Sequence, residues 1–493
     1  MFLGIDVGTS STKGVLTDRR GVVLDSVTIE HQVSFPRPGH VEFDAEVAWR
    51  EISEIARRLV TGRDASAIEG LCVSAMGPCL VITGDDLVPL RPTILYGIDS
   101  RASAQVATLE REFGAAAIFE RCGKTLSSQA GGPKLRWIRD VEPAVFAAAT
   151  QWHSLAGWLV ARLTGEHVID HHTASQFDPL YDLRTGNWHP EWAPRIAEHL
   201  RMPHLAWSGE VVGGVSAEAG FATGLPSGLP VCAGTIDAWS EAVSAGVRSP
   251  GDLMLMYGST MFFVEVLSSW RAHEKLWTTA GVAPGSLTMA AGMSTSGTLT
   301  QWVQRVTGGA PFEELVEEAQ AVPTGSDGLL LLPYFAGERT PVFDDAARGV
   351  IVGLTLSHGR GHLLRAAYEG VAYGIRQVLA YLDVTGEPVR RLVAVGGGTK
   401  AALWTQIVSD VTGRPQDVPA LTIGASYGDA MLAAMATGVL EPDATWARVA
   451  TTIEPDAAKA DLYAELFTGY ESLYAATREH MHLLARIQDR EHR

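Results

Sequence analysis

Residues 2–16 restrict what this chain can fold into more than any other stretch. Phe2-Leu-Gly-Ile5 is an apolar run that reads as a buried strand, and Val15-Leu16 opens a second strand after a Gly8-Thr-Ser-Ser-Thr-Lys13 turn. Gly8 allows a backbone path that a side chain would block. Free amides and hydroxyls in such a turn line a concave anion site, and Lys13 adds positive charge. Asp6 stands at the strand end, where a carboxylate can hold a hydrated Mg²⁺. Strand, acid and hydroxyl-rich hairpin together fit a metal–phosphate cradle, although an ordinary polar hairpin turn has the same composition.

A second hairpin of this kind begins halfway along the chain. Asp252-Leu-Met-Leu-Met-Tyr-Gly258-Ser259-Thr-Met-Phe-Phe-Val264 again reads strand, Gly-Ser-Thr turn, strand, and suggests two related halves that each face a phosphate. With 493 residues, more than one core is expected. The Gly246–Gly251 connector divides the sequence into 1–246 and 247–493. A formal net charge of −17 argues against a general nucleic-acid or anionic-membrane binder, so a phosphate site must be a local positive feature. Asp6 interrupts the first apolar run and no basic region precedes it, so no secretory leader is expected, and no stretch approaches ~18 uninterrupted apolar residues, so no membrane span is expected either. Cys72, Cys79, Cys122 and Cys232 lack paired spacing and read as buried reduced thiols, which points to the cytoplasm.

Between these landmarks the pattern alternates strand and helix. Trp49, Ile52, Ile55, Ala56 and Leu59 recur at helical spacing, and Ile68–Ala75 is a short apolar strand that ends at Met76-Gly77-Pro78. Val81-Ile82 and Ile94-Leu95 suggest two more strands, the second running into Tyr96-Gly-Ile-Asp99-Ser-Arg101. Residues 102–200 read as mostly helical, with Trp152, Leu155, Trp158, Leu159 and Leu163 as one apolar stripe. Val231-Cys-Ala leads into Gly234-Thr-Ile-Asp237, and Val393-Ala-Val breaks into Gly396-Gly397-Gly398 before a helix, a turn that lets a nucleotide approach the backbone. Gly424–Ala436 reads as a small-residue helix suited to close packing. Leu462, Leu466, Phe467, Tyr470, Leu473, Tyr474 and Leu484 suggest a docked C-terminal helix.

Taken together these segments resemble the FGGY carbohydrate kinase family, in its xylulokinase-like branch. The most specific is Gly349-Val-Ile-Val-Gly353-Leu354 followed, seven residues on, by His362-Leu-Leu-Arg-Ala-Ala-Tyr-Glu369-Gly370, which agrees with the family's second signature. The first signature is partly present as Lys134-Leu-Arg-Trp137-Ile138, with Gly131 where the family has Pro, Ser or Thr. The resemblance implies an α/β fold of two ribonuclease-H-like domains, of the actin and sugar kinase superfamily, flanking a catalytic cleft. It implies a sugar kinase that uses ATP and Mg²⁺, acts on a small sugar, polyol or sugar acid, binds neither nucleic acid nor membrane, and is compatible with a homodimer.

By the same resemblance Asp237 is the catalytic base, a role that suits a reaction needing an acceptor for a hydroxyl proton. Spacing alone would equally allow Asp237 to cap the following helix. Thr9, Ser10, Ser11 and Lys13 match the first phosphate hairpin, Gly258 and Ser259 the second, and Gly297, Gln301, Gly397 and Gly398 the nucleotide side; Asp6 and Asp237 would hold the metal through waters. Substrate contacts fall on Met76, Asp99, Arg101 and Asp237. Gly77 and Gly97 stand where xylulokinases carry a histidine and a tryptophan, so a roomier pocket is expected, and the Arg-Glu pair of glycerol kinases is absent. Asp99 and Arg101 could instead form a buried pair that only shapes the pocket. His171-His172 read as surface or packing residues, since neighbours in sequence do not face one site. Two rivals remain: an ATP-binding protein on the same actin-like core that is non-catalytic or sugar-independent, and a kinase for a small non-sugar acid.

Overall fold

A computed structural model describes residues 1–491. The chain separates into two compact units. The first comprises Met1–Arg248, Ala272–Thr288 and Ile423–Ala447; the second comprises Ser249–Arg271, Met289–Thr422 and the chain from Arg448 on.

The first unit is built on Phe2–Val7, and the strand's period of two decides its neighbours. Leu3, Ile5 and Val7 enter one core with Ile52, Ile55 and Leu59 of the helix Ala45–Val60. Phe2 enters another, with Tyr427, Met431 and Leu432 of the helix Ala425–Ala436. Asp44 caps the first of these helices, its carboxylate accepting from the Glu46 amide at 2.9 Å. The second fits because its face is made of small residues: a Cβ on Gly4 would lie 2.0 Å from the Ser426 carbonyl oxygen, and one on Gly428 only 1.9 Å from that of Ser240.

Strand register then aligns the polar residues. Phe2–Val7 runs antiparallel to Ser11–Thr17, with Asp6 opposite Lys13, and parallel to Gly70–Ala75, with Asp6 opposite Ser74. Thr235–Ile236 lies parallel on the far side of Gly70–Ala75, with Thr235 opposite Ser74. Asp6, Ser74 and Thr235 thus form one row at the carboxyl ends of three parallel strands, the edge at which open α/β sheets bind ligands. A five-stranded sheet in the same unit orders Ser34–Arg37, His40–Phe43, Thr93–Ile94, Leu80–Thr83 and Gln151–Ser154.

The second unit repeats the opening motif. Asp252–Tyr257 and Met261–Leu267 form an antiparallel hairpin, and Arg391–Val395 lies parallel to the first of them, with Val395 opposite Met256. Gln416–Pro419 and Val449–Ile453 extend this sheet.

Two local expectations are corrected. Residues 102–200 are mostly helical, as expected, but short strands at 151–154, 168–170, 181–182 and 187–188 interrupt the apolar stripe and the helices around it. Trp152 therefore lies on a strand, and the helix Leu155–Thr164 begins after it, with Ser154 as its cap. Along the terminal helix Ala460–Glu491 the buried positions include Tyr463, Tyr470 and Met481, whereas Leu462 and Leu484 are exposed. The four cysteines are buried and unpaired. No described helix is long and apolar enough to cross a membrane.

Candidate active site

Asp237 is the first residue of the helix Asp237–Ser244 rather than its cap; Ile236 holds the cap position. Its carboxylate accepts from the Ala238 amide at 2.8 Å and shares an acidic cluster with Asp6, Glu241 and Asp429. Burial pushes Asp237 up to about 6. Burial, with repulsion from Asp237 and Asp429, carries Asp6 well above the usual carboxylate range, although the Ser74 hydroxyl donates to it at 3.2 Å. Glu241 reaches about 7 through burial and the Asp237 charge, which Lys13 offsets in part.

Asp429 lies beneath this row, fully buried. Its carboxylate accepts from the Ser74 hydroxyl at 2.7 Å, the Ser74 amide at 3.2 Å and the Ser240 hydroxyl at 2.6 Å. Burial carries it up to about 8, so at neutral pH it is largely a neutral acid. Among the described residues no group of three or more His, Cys, Asp or Glu side chains could hold a metal ion by itself. The donor set still suits a hydrated divalent cation that arrives with phosphate oxygens, because Asp6 and Asp237 carry repulsion that such an ion would relieve.

The hairpin beside this cluster is held from behind. His31 donates through Nε2 to the Gly8 carbonyl and through Nδ1 to Glu51, each at 2.9 Å, and Thr12 donates to the same Glu51 oxygen at 2.6 Å. Two acceptors on one ring require both nitrogens protonated. Burial alone would lower the His31 pKa, but the bonds to Glu51 and Gly8 outweigh it and raise the value. Ser10 and Lys13 remain exposed on the open side, with Thr9 and Ser11 half-buried. Thr9 is tied at 3.1 Å to the Tyr96 hydroxyl, which brings the hairpin to the loop that carries Asp99 and Arg101.

Asp99 and Arg101 form a closed network. Both side chains are inaccessible, and the Arg101 guanidinium binds both Asp99 oxygens at 2.7–3.0 Å and Glu42 at 2.8 Å. Asp99 also accepts from the Val41 amide at 2.7 Å, while Arg101 lies 5.0 Å over the Trp137 ring. Met76 is buried at the end of its strand. His171 stacks on Trp207 and His172 on Trp239, as packing residues. A concavity of about 1050 Å³ lined by residues such as Gln151, His167, Trp188 and Arg201 shares no residue with this constellation.

In the second unit the helix Gly297–Val306 starts on the hairpin turn. The Ser296 amide donates to the Ser259 carbonyl and the Gly297 amide to that of Gly258, at 3.1 and 3.0 Å. A Cβ on Gly297 would stand 2.7 Å from the Gly258 oxygen. Gln301 lies one turn on, exposed, on the same face as Gly297. Gly396 needs its positive φ of 91°, and a Cβ there would meet the Tyr257 carbonyl at 2.7 Å; Gly398 lies against Tyr257 and Trp404. Gly397, between them, faces open space.

Two family models match this chain: the N-terminal domain of the FGGY family of carbohydrate kinases over residues 1–244, and its C-terminal domain over 253–437. The chain belongs to the FGGY family of carbohydrate kinases. It is a sugar kinase, with the two-domain α/β fold of that family. The xylulose kinase of Bacillus subtilis (strain 168) is 26% identical over 495 residues, covering 97% of each chain. The gluconokinase of the same organism is 26% identical, covering 89% of this chain and 88% of its own. Among solved structures, the xylulose kinase from Rhodospirillum rubrum has a TM-score of 0.90 and 33% identity, covering 98% of this chain and 99% of its own.

Sequence reading of this sugar kinase missed Ser74, Asp429, His31 and Glu51. Asp429 could have been suspected as the one charge inside a small-residue helix; Ser74, His31 and Glu51 carry no local signal.

Proposed function

We propose that this kinase transfers the γ-phosphoryl group of MgATP to a hydroxyl of a neutral ketose or polyol, with Asp237 as the general base. One observation carries the reading: Asp237 stands at the ligand-binding edge of the sheet beside Asp6, with its pKa raised toward the working pH. A base is most effective when its pKa lies near that pH. Asp237 would orient the acceptor hydroxyl and take its proton as the bond to phosphorus forms. Thr9, Ser10, Ser11 and Lys13 would meet phosphate oxygens from one hairpin, and Gly258 and Ser259 from the other. Gly297, Gln301, Gly397 and Gly398 would receive the rest of the nucleotide. A bound Mg²⁺, held through waters by Asp6 and Asp237, would neutralise phosphate charge.

The neutral acceptor is argued from charge. On the acceptor side, Arg101 is committed to Asp99 and Glu42, and Lys134 is buried with its ammonium on the Ser128 carbonyl at 2.7 Å. A sugar acid would bring its carboxylate towards Asp6 and Asp237 with neither cation released to meet it. Within this reading Met76 contributes apolar contact, while Asp99 and Arg101 position the loop. Residues 1–246 carry acceptor and base, and residues 247–493 the nucleotide; a homodimer and a cytoplasmic location belong to the same proposal.

The test is ADP release with D-xylulose, other ketoses, polyols and gluconate. A neutral acceptor should raise turnover well above the sugar-free rate, and Asp237→Ala should lower kcat roughly 10²–10⁴-fold with the fold retained. Equal turnover with and without every acceptor would sink the reading in favour of a sugar-independent ATP-binding protein.

A further inference from the structure

Residues 123–130, Gly-Lys-Thr-Leu-Ser-Ser-Gln-Ala, adopt neither helix nor strand before the helix Gly131–Val141, yet they are held firmly. Lys124 is buried, with its ammonium 2.7 Å from the Ser175 carbonyl and 3.3 Å from Asp178; Lys134 secures the Ser128 carbonyl. The segment then takes both backbone groups of Gly97. The Ser128 hydroxyl donates to the Gly97 carbonyl at 2.9 Å, and the Gly97 amide donates to Gln129 Oε1 at 3.0 Å. Gln129 Nε2 reaches the Gly77 carbonyl at 3.4 Å. One carboxamide therefore spans the loop after Met76 and the loop before Asp99.

Those loops border the candidate site. A Cβ on Gly77 would strike Ile236, the neighbour of Asp237, at 2.8 Å. Tyr96, next to Gly97, is bonded to Thr9 of the phosphate hairpin. Ile236, Gly77, Gln129, Gly97, Tyr96 and Thr9 thus follow one another in a chain of contacts that starts beside Asp237, and Gln129 brings a carboxamide to it. It is half-buried, and its second amide N–H has no partner among the described residues. A Cβ on Gly97 would lie 2.3 Å from Oε1, so the carboxamide fills the space that a side chain at 97 would occupy.

We infer that Gln129 is a specificity-determining residue of this kinase. Its carboxamide fills the room left by Gly97 and presents one N–H to an acceptor hydroxyl, which limits acceptor length. The inference rests on the kinase reading above. A bridge with only a structural role would change stability and leave the ranking of acceptors alone.

The experiment is steady-state kinetics with D-xylulose, D-ribulose, D-fructose and xylitol, alongside thermal unfolding. It compares the wild type with Gln129→Ala, Gln129→Glu, Gly97→Ala and the double variant Gly97→Ala/Gln129→Ala. Gln129→Glu is nearly isosteric and keeps the acceptor for the Gly97 amide, so it serves if the alanine variant does not fold. Each single variant should raise KM for the best acceptor about tenfold or more, with a smaller change in kcat and an unchanged KM for ATP. Gln129→Ala should shift the ranking toward longer acceptors. Gly97 has an ordinary φ, so the collision with Oε1 is the obstacle to alanine there, and the Gly97→Ala loss should vanish in the Gln129→Ala background. An unchanged ranking, or strictly additive losses, in variants of an active wild type overturns the inference alone. A wild type that phosphorylates none of the four overturns the kinase reading and the inference together.

Discussion

At the scale of single residues, two aspartates in one cluster are set apart by their partners. Asp237 has one backbone donor and a pKa near 6; Asp429 is buried against two serines and reaches about 8. Only ionised Asp237 can accept a hydroxyl proton, so kcat/KM for the sugar should fall as pH drops through about 6. A pH–rate profile checks this, and an acid limb near ~4, the value of an unperturbed carboxylate, would contradict it. Asp429 acts on stability. A carboxyl with a raised folded-state pKa binds more protons folded than unfolded, so its contribution is complete below about 4 and is lost as pH rises through about 8. In Mg²⁺-free buffer, Tm should therefore decline from pH 6 to 9, and Asp429→Asn should flatten that decline. An identical slope in the variant would assign the effect to Asp6 and Glu241 instead. Asp6, Lys13 and Asp237 were legible in the sequence because each sits in a glycine-bearing strand-turn motif. Asp429 was not, because its partner Ser74 is 355 residues away.

At the scale of elements, support comes from close backbone approach and from groups behind the turn. Gly428→Ala should destabilise by about 2–4 kcal/mol, because the added Cβ would meet the Ser240 carbonyl, which cannot yield as a side chain does. Chemical denaturation measures this, and a loss below ~1 kcal/mol would show that the helix can slide. The first hairpin depends on imidazolium His31 between Gly8 and Glu51. Its pKa is raised in the folded state, so this support is complete below about 6.5 and drains as pH rises through the raised value. His31→Ala should raise KM for ATP several-fold at pH 6 and less at pH 8.5, as ATP titrations at the two values would reveal. Both hairpins and the small-residue helix were visible as local patterns; the brace behind the hairpin was not, since His31 and Glu51 lie on different elements. The segment most diagnostic of family, Gly349–Gly370, is architectural in the structure. Glu369 there accepts from the Gly325 amide, Ser326, Arg365 and Tyr463, and Gly353 and Gly370 lie against backbone carbonyls.

At the scale of the whole molecule, the sequence order and the compact units differ in two segments. Residues 272–288 and 423–447 follow the connector at 246–251 yet belong to the first unit. The second of these segments supplies Asp429 and covers Gly4 and Phe2. Residues 1–246 expressed alone should therefore fail to fold cooperatively, because that face of the central strand would lie open to water. Adding a segment that spans 423–447 should restore a cooperative transition by circular dichroism; a stable, cooperative 1–246 fragment would contradict this.

The sequence by itself determined the family, the paired hairpins and the place of Asp6 and Asp237 at the ends of their strands. These are written in short motifs whose backbone demands specific residues. Tertiary structure alone decided that Glu42 and the Val41 amide close the Asp99–Arg101 pair, that Asp429 sits under the row of Asp6, Ser74 and Thr235, and that Gln129 joins the loops of Gly77 and Gly97. Each depends on elements far apart in sequence meeting in one core, and pairing at that range leaves no periodic trace in the chain.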